Sequence, residues 1–281
     1  MPRWTVGMPS YNNFTEVWFT CQALRMYHGD IDMEIVVVDN YGDLALKAWA
    51  EKDGSAFGVR YEKYAEHVGV SPAKNRIFEV ATGENVLVID SHIMLARGAL
   101  SWDIPDDNLY QGPIIRGNWR SYCAEWLPRW RAGMWGIWGP SIDQVPDAPV
   151  EIWAQGAGFF ACRRDSWLGF HREFRGFGGE TGYLQEKYRK YGRHVYCEPR
   201  LQWIHFFNSA KLGGRALTYP MQVLDRVRNY LLGFEELGLD TAPIEQHFGS
   251  DAVAEARRTT SADRDLALRQ LAARFAAGVA S

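Results

Sequence analysis

The segment Asn85-Val-Leu-Val-Ile-Asp-Ser-His92 ends an apolar run on a carboxylate and an imidazole two residues apart. Residues at i and i+2 of an extended chain share one side, so Asp90 and His92 can converge on one ion. A divalent cation held by a carboxylate, an imidazole and ligand oxygens would bridge a diphosphate and neutralise it as it departs. Imidazole ligation favours manganese over magnesium, which prefers an all-oxygen shell, though another divalent cation such as Mg2+ stays open. An Asp that closes a strand also serves as a helix cap or turn former.

Other groups could work beside that pair. Gly178-Gly179-Glu180 places a carboxylate after a flexible turn and at an expected helix start, where the helix dipole would keep it ionised. Its plainer use is as a helix cap. Lys74 and Arg76, in "SPAKNRIF", would offset phosphate charge, or else lie on a solvated helix face. Between residues 114 and 139, Trp119, Trp126, Trp130, Trp135 and Trp138 interleave with Arg116, Arg120, Arg129 and Arg131. Indole faces suit sugars, bases or peptide segments, and guanidinium groups suit phosphate. Taken singly, each tryptophan fits a core position equally well.

These groups need elements to position them. "WTVGMPSY", "MEIVVVDN", "GVRYEKY" and "NVLVID" predict four strands, separated by helices after Asn12-Asn13, at "GDLALKAWAEKDG" and at "SPAKNRIFEVATG". The β-branched run in "MEIVVVDN" marks a strand buried on both faces. Strand–helix units in this rhythm make a parallel, doubly wound sheet whose ligands bind beyond the carboxyl ends of the strands. Pro9-Ser10-Tyr11, Asp39-Asn40 and Asp90-Ser91-His92 all fall on that edge. "VGMPSYNN" lacks the glycines of a dinucleotide fingerprint and no P-loop is present, so phosphates must be held another way. After residue 100 the rhythm breaks into strands with long loops. Amphipathic helices are expected over residues 218 to 238 and 251 to 278.

At this point the chain resembles the GT-A nucleotide-sugar glycosyltransferases, family 2-like, and among them the polypeptide N-acetylgalactosaminyltransferases. Those enzymes place Asp-x-His, commonly Asp-Ser-His, at the end of the corresponding strand as their metal motif. "VGMPSYNN" resembles the family's first strand and turn, and "VVVDN" the strand whose acidic end reads the uracil. "GAGFFACRRDSW" and "GFGGETGYLQEKYRKYG" resemble the segment before the acceptor helix and the Gly-Gly-Glu motif with its helix. The resemblance implies a GT-A α/β fold and a metal-dependent transferase using a UDP-sugar. His205 would be a third metal ligand with Asp90 and His92. Asp39 would accept from the base N3–H, and Pro9, Ser10, Tyr11, Asn40, Lys74, Arg76, Ser91, Gly178 and Gly179 would line the nucleotide-sugar. Glu180 would act at the reacting sugar. Relatives that invert use an Asp after Gly-Gly-Glu; Thr181-Gly182 stands here instead. That favours a retaining course, with Glu180 as base in an inverting one left open.

Charge distribution bears on the acceptor. Residues 111 to 215 hold 15 Lys/Arg against 9 Asp/Glu, a local +6, while the rest holds 16 against 25, or −9. A basic middle is either a field aimed at an anionic ligand or an ordinary solvated surface. A macromolecular acceptor, with Arg116, Trp119, Arg120, Trp130, Arg131 and Trp135 in contact, is expected: a hydroxymethylated base in DNA, as in phage enzymes, or protein Ser/Thr. A glycan or lipid-linked acceptor, and a sugar-nucleotide-binding module without catalysis, are the alternatives. No window has the roughly 18 apolar residues of a membrane span. Four scattered cysteines read as reduced thiols, so a cytoplasmic protein is expected, in the host cytoplasm were it viral. The expected organisation is a GT-A domain over residues 1–215, its nucleotide half ending near residue 100, and a helical C-terminal extension over 216–281.

Overall fold

The computed structural model describes residues 2–65, 69–117, 120–206 and 219–279. Three strand–helix steps and a fourth strand open the chain. They are β1 (Trp4–Ser10), α1 (Phe14–His28), β2 (Met33–Asp39), α2 (Leu44–Trp49), β3 (Val59–Lys63), α3 (Val70–Val80) and β4 (Asn85–Ile89). β1 lies parallel between β2 and β4, and β3 extends the parallel set beyond β2. Ile35, Val36, Val37 and Val38 of β2 are all fully buried, as a strand covered on both faces requires. Gly7 is where β1 has no room for a side chain: a Cβ there would run into Ile77 of α3.

The second half completes the sheet and adds a smaller one. Its elements are β5 (Ile93–Leu95), β6 (Leu109–Gln111), β7 (Ile114–Ile115), β8 (Tyr122–Cys123), β9 (Trp126–Arg131), β10 (Met134–Trp138), β11 (Val150–Glu151), β12 (Phe159–Arg163), α4 (Glu180–Lys190), β13 (Val195–Cys197) and β14 (Trp203–His205). The large sheet has the order β11-β13-β6-β12-β4-β1-β2-β3, with β12 antiparallel to both β4 and β6. It is therefore mixed around a parallel centre, the α/β class expected. The smaller sheet runs β5-β14-β7-β8, and β9 and β10 form a separate hairpin.

Two apolar clusters cover the faces of the large sheet, one including Val17, Leu24 and Leu46, the other Ile77, Phe170 and Tyr183. A third joins the hairpin to the C-terminal helices α5 (Val223–Leu237), α6 (Ala242–Phe248) and α7 (Ser250–Val279). Those helices are built into the body. Asn229 of α5 donates to the carbonyls of Arg175 and Gly178 and accepts from the Arg175 N–H, pinning the loop before α4. All four cysteines are free and buried, in line with reduced thiols. Among the described residues no helix is long and apolar enough to cross a membrane.

Candidate functional site

A cavity of about 440 Å3 opens at the carboxyl ends of β1, β2 and β4. Its lining includes Pro9, Ser10, Tyr11, Asn13, Asn40, Lys74, Asp90, Ser91, His92, Glu180 and His205, together with the apolar or aromatic Trp126, Met134, Trp138, Phe177, Tyr219 and Met221. Sheet pairing explains how residues so distant in sequence meet. β4 delivers Asp90, the turn after it presents His92, and antiparallel pairing of β14 with β5 sets His205 opposite Ile93.

Asp90, His92 and His205 offer ligand atoms that all lie within 4.8 Å of one another. The two Nε2 atoms are 3.0 Å apart with their rings nearly perpendicular, and His205 Nε2 lies 3.6 Å from Asp90 Oδ2. Two ligands about 2.1 Å from one ion and at right angles to each other would be about 3.0 Å apart, the spacing of the imidazole nitrogens. Two imidazoles and one carboxylate suit a divalent transition ion and leave room for ligand oxygens. The residues therefore fit a metal. Burial works against the Asp90 charge, but the hydrogen bond from His205 and the charges of Lys74, His92 and His205 outweigh it and hold the carboxyl below its usual range.

Backbone packing fixes Asp90. Its N–H donates to Gly158 O at 2.8 Å, and Gly158 passes so close that a Cβ there would lie 2.9 Å from the Asp90 carboxyl carbon. Lys74, almost fully buried, donates from Nζ to Ala157 O at 2.6 Å and stands 4.0 Å from Asp90 Oδ1. Asn13 joins the first strand to the turn after Asp90: it accepts from Ser10 Oγ at 2.6 Å and from Tyr11 N–H, and it donates to Ser91 Oγ. Asn13 stands at the N-cap of α1 as expected, yet its side chain makes no cap bond because it is committed to this link.

Glu180 lies in the cavity wall, but the helix start expected there is displaced. Thr181 and Gly182 have non-helical backbone angles, so the regular turns of α4 begin after them. Glu180 consequently stands off the helix N-terminus. Burial pushes its carboxyl above the usual value, against the opposing pull of Lys74 and the Gly178 N–H. The helix dipole expected to favour its ionised form is thus set apart from it by the kink, and burial works in the opposite direction. Gly178 and Gly179, both with positive φ, form the turn, and the backbones of both are covered by α5.

An amide network holds this kink. Gln185 accepts the Gly182 N–H at 2.8 Å and donates to Gln111 Oε1 and Gln155 O, both at 3.0 Å. Gln111 in turn donates to the carbonyls of Gly156 and Phe159. Thr181 Oγ1 accepts the Ala157 N–H at 3.0 Å. The strand that positions Asp90 and the turn that carries Glu180 are thus tied together by fully buried glutamines.

Several expected contacts fall elsewhere. Asp39 is fully buried and accepts four hydrogen bonds, from the N–H groups of Tyr41, Gly42 and Asp43 and from Tyr61 Oη. With about four acceptor sites on a carboxylate, it is saturated as a turn former and has none left for a base. Arg76 pairs with Glu62 and Glu79 on the α3 surface, away from the cavity. Trp130 packs on Tyr230, Phe234, His247 and Phe248, and Trp135 on Trp153 and Phe234, so both anchor the hairpin to the C-terminal helices. Arg116, Arg120 and Arg131 do not line the cavity either; Arg120 and Arg131 are exposed, and Arg116 lies over the Trp138 ring. Trp119 lies outside the described residues. The hairpin residues that line the cavity are Trp126 and Trp138, paired at the open end of the hairpin, and Met134 at its turn end. The register Trp138↔Trp126 is the signal that sequence alone did not supply.

The profile of the family Glycosyl transferase family 2 matches residues 5–101, the part that contains β1 to β4 and the metal cluster's Asp90 and His92. Solved structures extend the likeness. A structure of GalNAc-T7 with UDP, GalNAc and Mn2+ is similar over 84% of this chain and 48% of that one, at 14% identity and a TM-score of 0.66. The mannosyltransferase PcManGT from Pyrobaculum calidifontis, in complex with GDP-Man and Mn2+, covers 98% and 80% at 17% identity and 0.53. TarS residues 1–349 of S. aureus, in complex with UDP-GlcNAc, covers 90% and 71% at 15% identity and 0.52. The chain spans about half the length of the GalNAc-T7 chain. No curated protein sequence matches it. At such identities the likeness establishes the fold, the GT-A architecture expected from the sequence.

Proposed function

We propose that the chain transfers a sugar from a nucleoside diphosphate sugar, UDP-linked in the first instance, to a hydroxyl of a macromolecular acceptor. The observation that carries this reading is the convergence of Asp90, His92 and His205, with the buried Lys74 behind them, at the ligand edge of a GT-A sheet. Proteins of similar fold have been solved with Mn2+ and UDP or GDP-mannose, which supports the same use of this edge.

Asp90, His92 and His205 would hold a divalent cation, which when bound supplies charge neutralisation to the diphosphate. Pro9, Ser10, Tyr11, Asn40 and Ser91 form the wall along which the nucleotide lies, and Gly178 and Gly179 shape the turn beside the sugar. Lys74 adds a fixed positive charge where the diphosphate departs, at no reorganisation cost because Ala157 O already orients it. In the transfer, the bond from the anomeric carbon to the diphosphate oxygen breaks and its electron pair leaves with the nucleoside diphosphate. A bond to the acceptor oxygen forms, and the hydroxyl proton is lost. The Thr181-Gly182 sequence after Glu180 supports a retaining course, in which the departing phosphate oxygen takes that proton. Glu180, with its affinity for protons raised by burial, then binds a sugar or acceptor hydroxyl rather than serving as the base.

The test is release of nucleoside diphosphate from a panel of sugar nucleotides with Mn2+, for the wild type and Asp90→Ala. Metal-dependent release with one donor, abolished by the substitution, is the expected result. Tight nucleotide binding without release from any donor would overturn the reading in favour of a binding module.

A further inference from the structure

We infer that Thr20 of α1 is a positioning residue for the metal ligand His92, acting through the backbone on either side of it. The inference deepens the metal-dependent reading of the same site and rests on it.

Thr20 does not line the cavity; it is 3% exposed and belongs to the buried stripe of α1 with Val17, Cys21 and Leu24. Its hydroxyl donates to Ser91 O at 2.9 Å and reaches Ile93 O at 3.3 Å, the carbonyls immediately before and after His92. One hydroxyl has one proton, so the shorter contact is the main bond and the longer one its weaker branch. The His92 carbonyl accepts from elsewhere, from the Phe206 N–H at 3.0 Å, one residue beyond the ligand His205. Three successive carbonyls therefore have named donors. Two are met from α1, and the third from the strand end that carries the other imidazole.

The way α1 spends its polar side chains is the second observation. A threonine inside a helix commonly returns its hydroxyl to the carbonyl one turn back. Thr259 and Thr260 of α7 do so, bonding Glu255 O at 3.1 Å and Ala256 O at 2.8 Å. Thr20 instead sends its hydroxyl out of its helix, to a segment 71 residues away in sequence. Asn13, seven residues earlier, behaves alike: its side chain makes no cap bond and donates to Ser91 Oγ. Two polar side chains of one helix forgo local bonds, and both go to the turn that presents His92.

That turn is the part of the cluster with least support from the sheets. Asp90 follows β4 directly and bonds to Gly158 O, and His205 is paired with Ile93 in the β5–β14 ladder. His92 lies between β4 and β5, one residue outside that ladder. Metal–ligand distances tolerate only about 0.2 Å, so the 3.0 Å spacing of the two Nε2 atoms requires the His92 backbone to stay where it is. The bond from Thr20 fixes it on the α1 side.

The experiment titrates Mn2+ into the full chain in the presence of UDP, read by calorimetry, and measures the metal-free melting temperature of the same preparations. Wild type runs beside Thr20→Val, which keeps the shape and removes the hydroxyl, and Thr20→Ser, which keeps the hydroxyl. Thr20→Ala is a second hydroxyl deletion, and His92→Ala is the reference. Thr20→Val and Thr20→Ala should lower Mn2+ affinity by about 10-fold or more. Thr20→Ser should stay within about 2-fold of the wild type. A lower metal-free melting temperature with unchanged Mn2+ affinity in both deletions would overturn the inference, leaving Thr20 a core residue only. An equal loss in Thr20→Ser would also overturn it, because packing rather than the hydroxyl would be responsible. So would failure of both deletions to fold while Thr20→Ser folds, since the hydroxyl would then serve the fold as a whole. Failure of the underlying reading shows itself separately: a wild type that binds no Mn2+, or binding indifferent to His92→Ala, would remove the metal site and this inference with it.

Discussion

Gly158→Ala separates the metal account from a general account of stability. The φ of Gly158 lies outside the left-handed region, so alanine is acceptable to the backbone itself. The added methyl would lie 2.9 Å from Asp90 Cγ and nearer still to Oδ2. Carbon atoms at rest are about 3.5 Å apart, so the carboxylate must retreat by about 0.6 Å. Metal–ligand distances tolerate only about 0.2 Å, so Asp90 would leave a shared coordination position while His92 and His205 stay. Loss of the orientation of one ligand lowers metal affinity by about 10- to 100-fold. The prediction is therefore a Mn2+ affinity, read by titration calorimetry in the presence of UDP, down by that factor. The melting temperature should fall by no more than a few degrees, because the clash is relieved by a side chain that is 28% exposed. Unchanged Mn2+ affinity in a folded Gly158→Ala protein would refute the reasoning, because Asp90 would then not be holding the ion from where it stands.

Three further outcomes follow from the same structure. Glu180→Gln should melt above the wild type at pH 7.5, by roughly 2–4 °C for each ~1 kcal/mol gained, while losing transfer activity. The sign follows from burial, which raises the folded-state value: between the unfolded and folded values the native protein binds the extra proton, so stability falls as pH rises through that window. The gap should close towards pH 4.5, and a lower melting temperature at pH 7.5 would contradict it. Gln185→Glu removes the donors to Gln111 and Gln155 and should cut kcat by about 10- to 100-fold with KM little changed, since it loosens the Glu180 turn rather than the donor wall. A rise in KM alone would count against that role. His28, buried at the end of α1, has its imidazole value lowered by burial and by Arg97, against the pull of Leu95 O and Asp30. Its contribution to stability is complete above about pH 6.5 and is lost as pH falls through the lowered value, so urea unfolding at pH 5.5 should show a deficit that His28→Gln reduces.

The legible part of the site was the part set by local chain geometry. Asp90 and His92 share a short segment whose strand could be read from its apolar run, and Pro9, Ser10 and Asn40 lie at strand ends found the same way. The amide network was not legible, because Gln111, Gln155 and Gln185 acquire their meaning only when three elements pack together. Asp39 shows the limit from the other side: an acid at a strand end is equally a turn former, and the N–H groups of Tyr41, Gly42 and Asp43 decide which. Trp130 and Trp135 were indistinguishable from Trp126 and Trp138 in sequence. The hairpin register and the seating of α5 against it send the first pair inward and the second pair to the cavity. Gly158 had only the Gly-Ala-Gly spacing to mark a close approach, with nothing to say that Asp90 was the group approached.

The most direct test of the central claim is calorimetric titration of UDP into the wild type and into His205→Ala, with and without Mn2+. His205 reaches the cluster only through the β5–β14 pairing, so its effect reports the assembled site rather than the Asp90-Ser91-His92 segment alone. The account predicts Mn2+-dependent UDP binding in the wild type that weakens by about 10-fold or more in His205→Ala. UDP binding that is indifferent to Mn2+, or a dependence on Mn2+ that survives the loss of His205, would contradict it.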